Sequence, residues 1–249
     1  MVDYSALRFV DQVGTNLGNN LLFRGPSPID KDQNPWRFDP GLTQQLKSKY
    51  PYPPFPETYY LIVVSLLYDF GDDAKELAVE RQYFANNPGT GQLVWWPTWG
   101  SVKCYYRTDP AEQDRLIRTF DEWLPDTLIR RTETLRYMLE TSWAPGTTPY
   151  NPGYDNPPCV FYVHCDGGCD RTSEMIGAYR LRQGFSWQDM YDEHPCGPMG
   201  CNNYRALQWY AIWLNQMFGY GLTPYGDAGC SDPSPPAPVQ GQPWQACAP

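Results

Sequence analysis

Apolar residues along this chain come in short blocks separated by turn-forming segments. The run YYLIVVSLLY (59–68) has β-branched residues at its centre and predicts a buried strand over 59–67. CVFYVH (159–164), bounded on its left by the Pro/Gly/Asn-rich stretch 144–158, predicts a central strand. From Leu21, LLFRGPSPID reads as a short strand running into a Pro-rich turn, and 93–96 and 102–107 alternate aromatic and β-branched residues as strands do. Helical spacing appears at 41–50, at 72–86 and from Asp109 onward, broken near Pro125 and resumed to about Trp143. D-P-A-E at 109–112 puts Asp109 at an N-cap, Pro110 at the first helical position and Glu112 at the third. Three further helices are predicted: 172–184 with Gly184 as its stop, 186–193 and 203–218.

Strands alternating with helices predict an α/β domain, a central and mostly parallel sheet flanked by helices. With 249 residues, one large domain over 1–218 is expected, followed by a Pro- and Cys-containing tail at 219–249 that has neither period nor core-forming runs. No internal repeat is visible.

Composition narrows the picture. The chain is 41% hydrophobic and 19% charged, with 21 Gly and 26 Pro, which suits a compact, loop-rich globular protein. Its net charge of −9 repels polyphosphate backbones and anionic headgroups, so neither nucleic acid nor a membrane surface is an expected partner. The longest apolar run falls far short of the roughly 20 residues a bilayer span needs, so no transmembrane segment is expected. The opening MVDYSALRF carries Asp3 and lacks the apolar stretch of a secretory leader. Eight cysteines are many for a cytosolic chain and place secretion or an oxidising lumen ahead of the cytoplasm.

The chemistry concentrates in His164-Cys165-Asp166-Gly167-Gly168-Cys169-Asp170-Arg171-Thr172, where a strand ends, the chain turns tightly and a helix begins. Gly167 and Gly168 let successive backbone N–H groups converge, and a helix start adds the positive end of its dipole, so the turn is built like an anion cradle. Arg171, six residues after Cys165, brings a planar fork able to clamp two phosphate oxygens. The same positive field favours a thiolate at Cys165.

This segment resembles the H-C-x5-R-[S/T] signature of the cysteine-dependent phosphatases of the protein tyrosine phosphatase superfamily, matched at His164, Cys165, Arg171 and Thr172. Weaker similarity extends to LLFRGPSP and to VKCYYRTDPAEQDRLIRTF, so that the family pattern covers about 20–218. The resemblance implies a phosphatase-like fold and hydrolysis of a phosphomonoester through a cysteinyl-phosphate, with no metal or other cofactor. Cys165 would attack phosphorus, while Arg171 and the backbone amides of Asp166, Gly167, Gly168, Cys169 and Asp170 would bind the phosphate. Thr172 would hydrogen-bond the Cys165 sulfur as it leaves. His164, behind the loop, would orient backbone groups.

For the general acid, the family places an Asp on a loop before the signature strand, a position Asp109 occupies. Asp126, in WLPD, and Asp170, inside the loop as in the myotubularin and Sac phosphoinositide phosphatases, are the alternatives. The implied partner is a phosphorylated substrate, either a phosphopeptide or a phosphorylated lipid or inositol. Asp166 and Asp170 put negative charge beside the phosphate, which fits a singly phosphorylated ligand better than a polyphosphate. Alternatively, both carboxylates turn back onto backbone N–H groups and only shape the loop.

Cys169, four residues after Cys165, suggests a reversible Cys165–Cys169 bridge as a redox switch, against a purely packing role. Cys196 with Cys201 and Cys230 with Cys247 are the expected disulfides. Other readings are a zinc site drawing on His164, Cys165, Cys169, His194, Cys196 and Cys201, a catalytically silent phospho-ligand-binding module, and a rhodanese-like fold carrying the same loop.

Overall fold

A computed structural model describes residues 1–15, 18–101, 103–105, 108–141, 157–196 and 199–224. The chain divides into two compact units, residues 1–97 with 134–168, and 98–133 with 169–249.

The first unit is built on a five-stranded sheet in the order β1-β2-β7-β5-β6, from β1 (Arg8–Thr15), β2 (Gly18–Gly25), β5 (Tyr60–Ser65), β6 (Gly91–Trp95) and β7 (Cys159–His164). β1 pairs antiparallel with β2; the β2–β7, β7–β5 and β5–β6 ladders are parallel. A two-stranded piece, β3 (Ile29–Asp30) with β4 (Arg37–Phe38), stands apart from it. Every residue of β5 and β7 is buried, the signature of interior parallel strands covered on both faces, which is why each reads as an unbroken apolar run. Helix α1 (Leu42–Lys49) lies near β1, and α2 (Gly71–Asn86) packs on β3, β4 and β6. Leu21, Phe23, Leu46, Val63, Val160 and Tyr162 lie in one buried cluster between these elements. The fold is thus α/β, with a mixed, mostly parallel sheet flanked by helices.

β1 has no counterpart in the sequence pattern. Its residues are mostly half-buried or exposed and a bulge between Phe9 and Asp11 breaks the alternation, so an edge strand does not announce itself.

The second unit is helical: α3 (Pro110–Arg118), α4 (Phe120–Trp123), the start of α5 (Leu128–Thr141), α6 (Asp170–Arg182), α7 (Trp187–Asp192) and α8 (Cys201–Phe218). The break near Pro125 has a clear cause, since Asp121 caps α5 by accepting from the N–H groups of Ile129 (2.9 Å) and Arg130 (2.7 Å). Helix α6 packs on α7 and α8 where Gly177 removes the side chain: a Cβ there would lie 2.9 Å from Leu207 and 3.1 Å from the Met190 sulfur. Gly184 ends the α6 region at φ 89°, and Gly219 ends α8 at φ 68°.

The strand expected at 102–107 is not formed by the described residues of that stretch. The carbonyls a ladder would use are taken by side chains: Trp209 Nε1 donates to Lys103 O (2.9 Å), Thr108 Oγ1 to Cys104 O (2.7 Å) and Gln113 Nε2 to Tyr105 O (2.8 Å). Aromatic and β-branched content mimicked a strand, while local hydrogen bonding decided otherwise. The expected loop at 144–158 lies outside the described residues except for its last two positions, as does most of the tail. Among the described residues no helix is long and apolar enough to cross a membrane.

Candidate active site

β7 delivers the motif at its C-terminal end. His164, its last residue, is fully buried, with Nε2 2.8 Å from Glu80 Oε1 and Nδ1 3.2 Å from Cys165 O, and its ring stacks on Tyr162 at 5.7 Å. Its two nitrogens therefore face a carboxylate on α2 and the backbone of the nucleophile candidate. Cys165 is 3% exposed and its thiol is free of any disulfide.

Two of the next three residues are fastened to the segment made by the end of β2 and the residues just after it. Ser27 N donates to Asp166 O (2.8 Å), and Arg24, buried, donates from Nη2 to Gly168 O (2.9 Å). Tyr162 Oη holds the other side of that segment by donating to Pro26 O (2.6 Å), and burial raises its pKa well above the usual phenol range. Across a planar trans peptide the next N–H points opposite to the carbonyl. Binding the carbonyls of Asp166 and Gly168 to 24–27 therefore turns the N–H groups of Gly167 and Cys169 the other way. Gly168 makes this approach possible. It sits at φ 72°, and a Cβ there would come within 2.5 Å of the Gly25 oxygen and the Pro26 nitrogen.

The loop carboxylates go different ways. Asp166 is exposed, and its Oδ1 accepts from Lys31 Nζ at 2.6 Å. The same ammonium lies 2.6 Å from Glu76 Oε1, on the buried face of α2. Burial raises the Glu76 pKa, with Lys31 and Ser27 opposing the shift; for Lys31, burial pulls downward but Asp166 and Glu76 outweigh it, so its pKa is raised. In the second unit, Asp170 Oδ1 accepts from Gly200 N at 2.5 Å. Asp170 thus folds back on a backbone N–H, as the loop-shaping alternative had it, whereas Asp166 finds a cation.

Cys169 is the N-cap residue of α6, its carbonyl accepting from Ser173 N at 2.8 Å. It is bonded to Cys196, 27 residues on. That overturns two expectations. Cys201, expected to pair with Cys196, forms no disulfide, and Cys169 is not available as a thiol to bridge Cys165. The sequence pointed to the nearest partner across GPMG, but the fold instead carries Cys196 back to the start of α6. The bond also removes two of the six ligands from the zinc reading. Cys104 too is disulfide-bonded, and the expected Cys230–Cys247 pair lies outside the described residues. Arg171 is half-buried on the first turn of α6, and the neighbouring Thr172 hydroxyl is fully buried with no hydrogen-bond partner among the described residues.

Asp109 caps α3, accepting from Ala111 N at 2.9 Å, and is exposed. Asp126 has a different environment. It is fully buried and accepts from Trp99 N (2.8 Å) and Gly100 N (2.6 Å). Burial raises its pKa, with those two N–H groups opposing. Glu174 of α6, also fully buried and held by Asn203 Nδ2 at 2.7 Å, is pushed well above the carboxylate range by burial first and then by Asp126. Asp126 is an interior anchor for the turn at 99–100.

Glu76, Glu80 and Lys31 escaped the sequence reading. The signal was present: Glu76 and Glu80 fall in phase with Leu77 and Phe84 on the buried face of α2, where an unpaired carboxylate is costly. Compared with known proteins, the chain matches no protein-family model and no curated sequence.

Proposed function

We propose that this protein is a phosphomonoester hydrolase of the cysteine-dependent, protein-tyrosine-phosphatase-like kind. The observation that carries the reading is the fastening of the loop. Two of its carbonyls are bonded to 24–27, their following N–H groups face the opposite side, and the same short segment contains a free, buried thiol at one end and an arginine at the other. Amides turned to one side beside a thiol support the reading of this turn as an oxyanion cradle.

In this reading the Cys165 sulfur attacks phosphorus as the ester P–O bond breaks, and the leaving oxygen takes a proton from the general acid. Water then attacks the thiophosphate, inorganic phosphate departs and the Cys165 thiolate is regenerated. Arg171 and the loop amides hold the equatorial oxygens through both steps. His164, with Nε2 2.8 Å from Glu80 Oε1 and Nδ1 3.2 Å from Cys165 O, keeps the end of β7 and the Cys165 backbone in register. A phosphotyrosyl or other aryl monoester and a phosphorylated lipid or inositol are the substrate classes to compare. The test is a rapid quench during aryl phosphate turnover followed by mass spectrometry, which is expected to find a phosphoryl group on Cys165. A protein that hydrolyses no phosphomonoester overturns the reading.

Asp109 is the acid this reading selects, because all three candidates accept a backbone N–H but only Asp109 is exposed, Asp126 being fully buried and Asp170 half-buried. Its cap role and its acid role can be separated. Asp109→Ser keeps a side-chain oxygen for Ala111 N but removes the transferable proton. The variant is expected to retain its melting temperature, lose about a hundredfold in kcat toward alkyl phosphates and lose much less toward nitrophenyl phosphate. Equal rates on both substrates would give the acid role to another group.

A further inference from the structure

Beside the loop, the first unit has a pocket of about 340 Å³ whose lining includes Pro26, Ser27, Ile29, Lys31, Asp166 and Gly167. Asp3 and Asp32 also face it. Lys31 Nζ stands 2.6 Å from both Glu76 and Asp166, one carboxylate buried in the first unit and the other on the loop. We propose that Lys31 is the positioning residue that sets the charge at the loop wall of this pocket: by pairing with Asp166 it cancels the loop carboxylate that would repel a phosphate, and by pairing with Glu76 it is itself held in place. The proposal rests on the hydrolase reading and deepens it.

The arrangement has a direct electrostatic consequence. An Asp at the first position after the nucleophile would oppose a dianion bound by the next amides. With its charge matched at contact distance, the Asp166 carboxylate no longer opposes an anion at the neighbouring backbone amides. Two carboxylates at 2.6 Å already match the Lys31 charge, so it adds little net attraction for a second phosphate. The pocket therefore suits a singly phosphorylated substrate whose leaving group is uncharged. On the side of that leaving group the lining includes the apolar side chains of Pro26 and Ile29.

The experiment measures kcat and KM for an uncharged aryl phosphate, together with the competitive inhibition constant of inorganic phosphate. Variants are made on a Glu76→Gln background, so that no buried carboxylate is left uncompensated. Lys31→Met is expected to raise KM and the phosphate constant about tenfold while kcat stays within about threefold, and Lys31→Arg to remain near the background values. Adding Asp166→Asn to Lys31→Met is expected to restore both constants to within about twofold, because the charge Lys31 cancels is then gone. An equal loss with and without the Asp166 carboxylate overturns the proposal, as do constants indifferent to Lys31→Met. Should the Glu76→Gln background fail to fold, Asp166→Asn in the native chain decides. It leaves the Lys31 charge with one fewer partner and is expected to tighten inorganic phosphate several-fold; an unchanged constant overturns the proposal. An active native enzyme with indifferent variants refutes the role of Lys31 alone, whereas a native protein that neither hydrolyses an aryl phosphate nor binds inorganic phosphate refutes the hydrolase reading and this proposal with it.

Discussion

Cys165→Ser is expected to lower kcat toward an aryl phosphate by at least about four orders of magnitude, with the far-UV circular dichroism unchanged and the melting temperature within about 3 °C. Activity and stability have separate grounds here. A serine hydroxyl ionises far less readily than a thiol and forms a poorer leaving group, so both halves of the reaction fail at once. The side chain is nearly isosteric, and the site is only 3% exposed and carries no disulfide, so little packing is lost. Binding of inorganic phosphate should survive, since the amides and Arg171 remain. A variant that still turns over substrate would end the cysteinyl-phosphate mechanism.

Gly168→Ala is expected to remove most activity by a different route. At φ 72° an L-residue is strained, and here the added methyl would also meet the Gly25–Pro26 peptide bond. The loop can relieve the clash only by moving off the 24–27 segment, which breaks the Arg24–Gly168 hydrogen bond and strains the Ser27–Asp166 one. A left-handed non-glycine residue costs about 1–3 kcal/mol, so urea unfolding should show that order of destabilisation. Activity should fall more steeply than stability, by about a hundredfold or more, because a displacement of about 1 Å is enough to misalign an oxyanion cradle. Gly184→Ala is the control. It too has a positive φ, at 89°, but nothing lies within 4 Å of its Cβ, so it should carry the backbone cost without the loss of rate. Similar kinetics in the two variants would mean that the fastening to 24–27 does not shape the site.

What could be read from the sequence follows from where each element gets its stability. β5 and β7 are buried along their whole length and advertise themselves as apolar runs, while α3, α6 and α8 carry an N-cap or a glycine stop and α2 opens on Asp72 and Asp73. The H-C-x5-R-T segment was legible because its residue types are spaced along one short stretch of chain. Features made by distant residues were not. β1 depends on pairing with β2, and the non-strand conformation at 103–105 depends on Trp209, more than a hundred residues away. The Cys169–Cys196 bond depends on how α6 and α7 fold the intervening chain back. Lys31 meets Glu76 and Asp166 only because the residue after β3, helix α2 and the end of β7 come together in the fold. In each case local sequence carried the propensity and a tertiary partner made the choice.

The bond at Cys169 bears on how such a protein is handled at the bench. Thiol enzymes are customarily stored in dithiothreitol to guard the nucleophile against air, but here the same reagent would also cut the tie between the N-cap residue of α6 and Cys196. Preservative and saboteur would be one molecule. Specific activity would then pass through a maximum as reductant is added, and protection is better sought by excluding oxygen and chelating trace copper and iron.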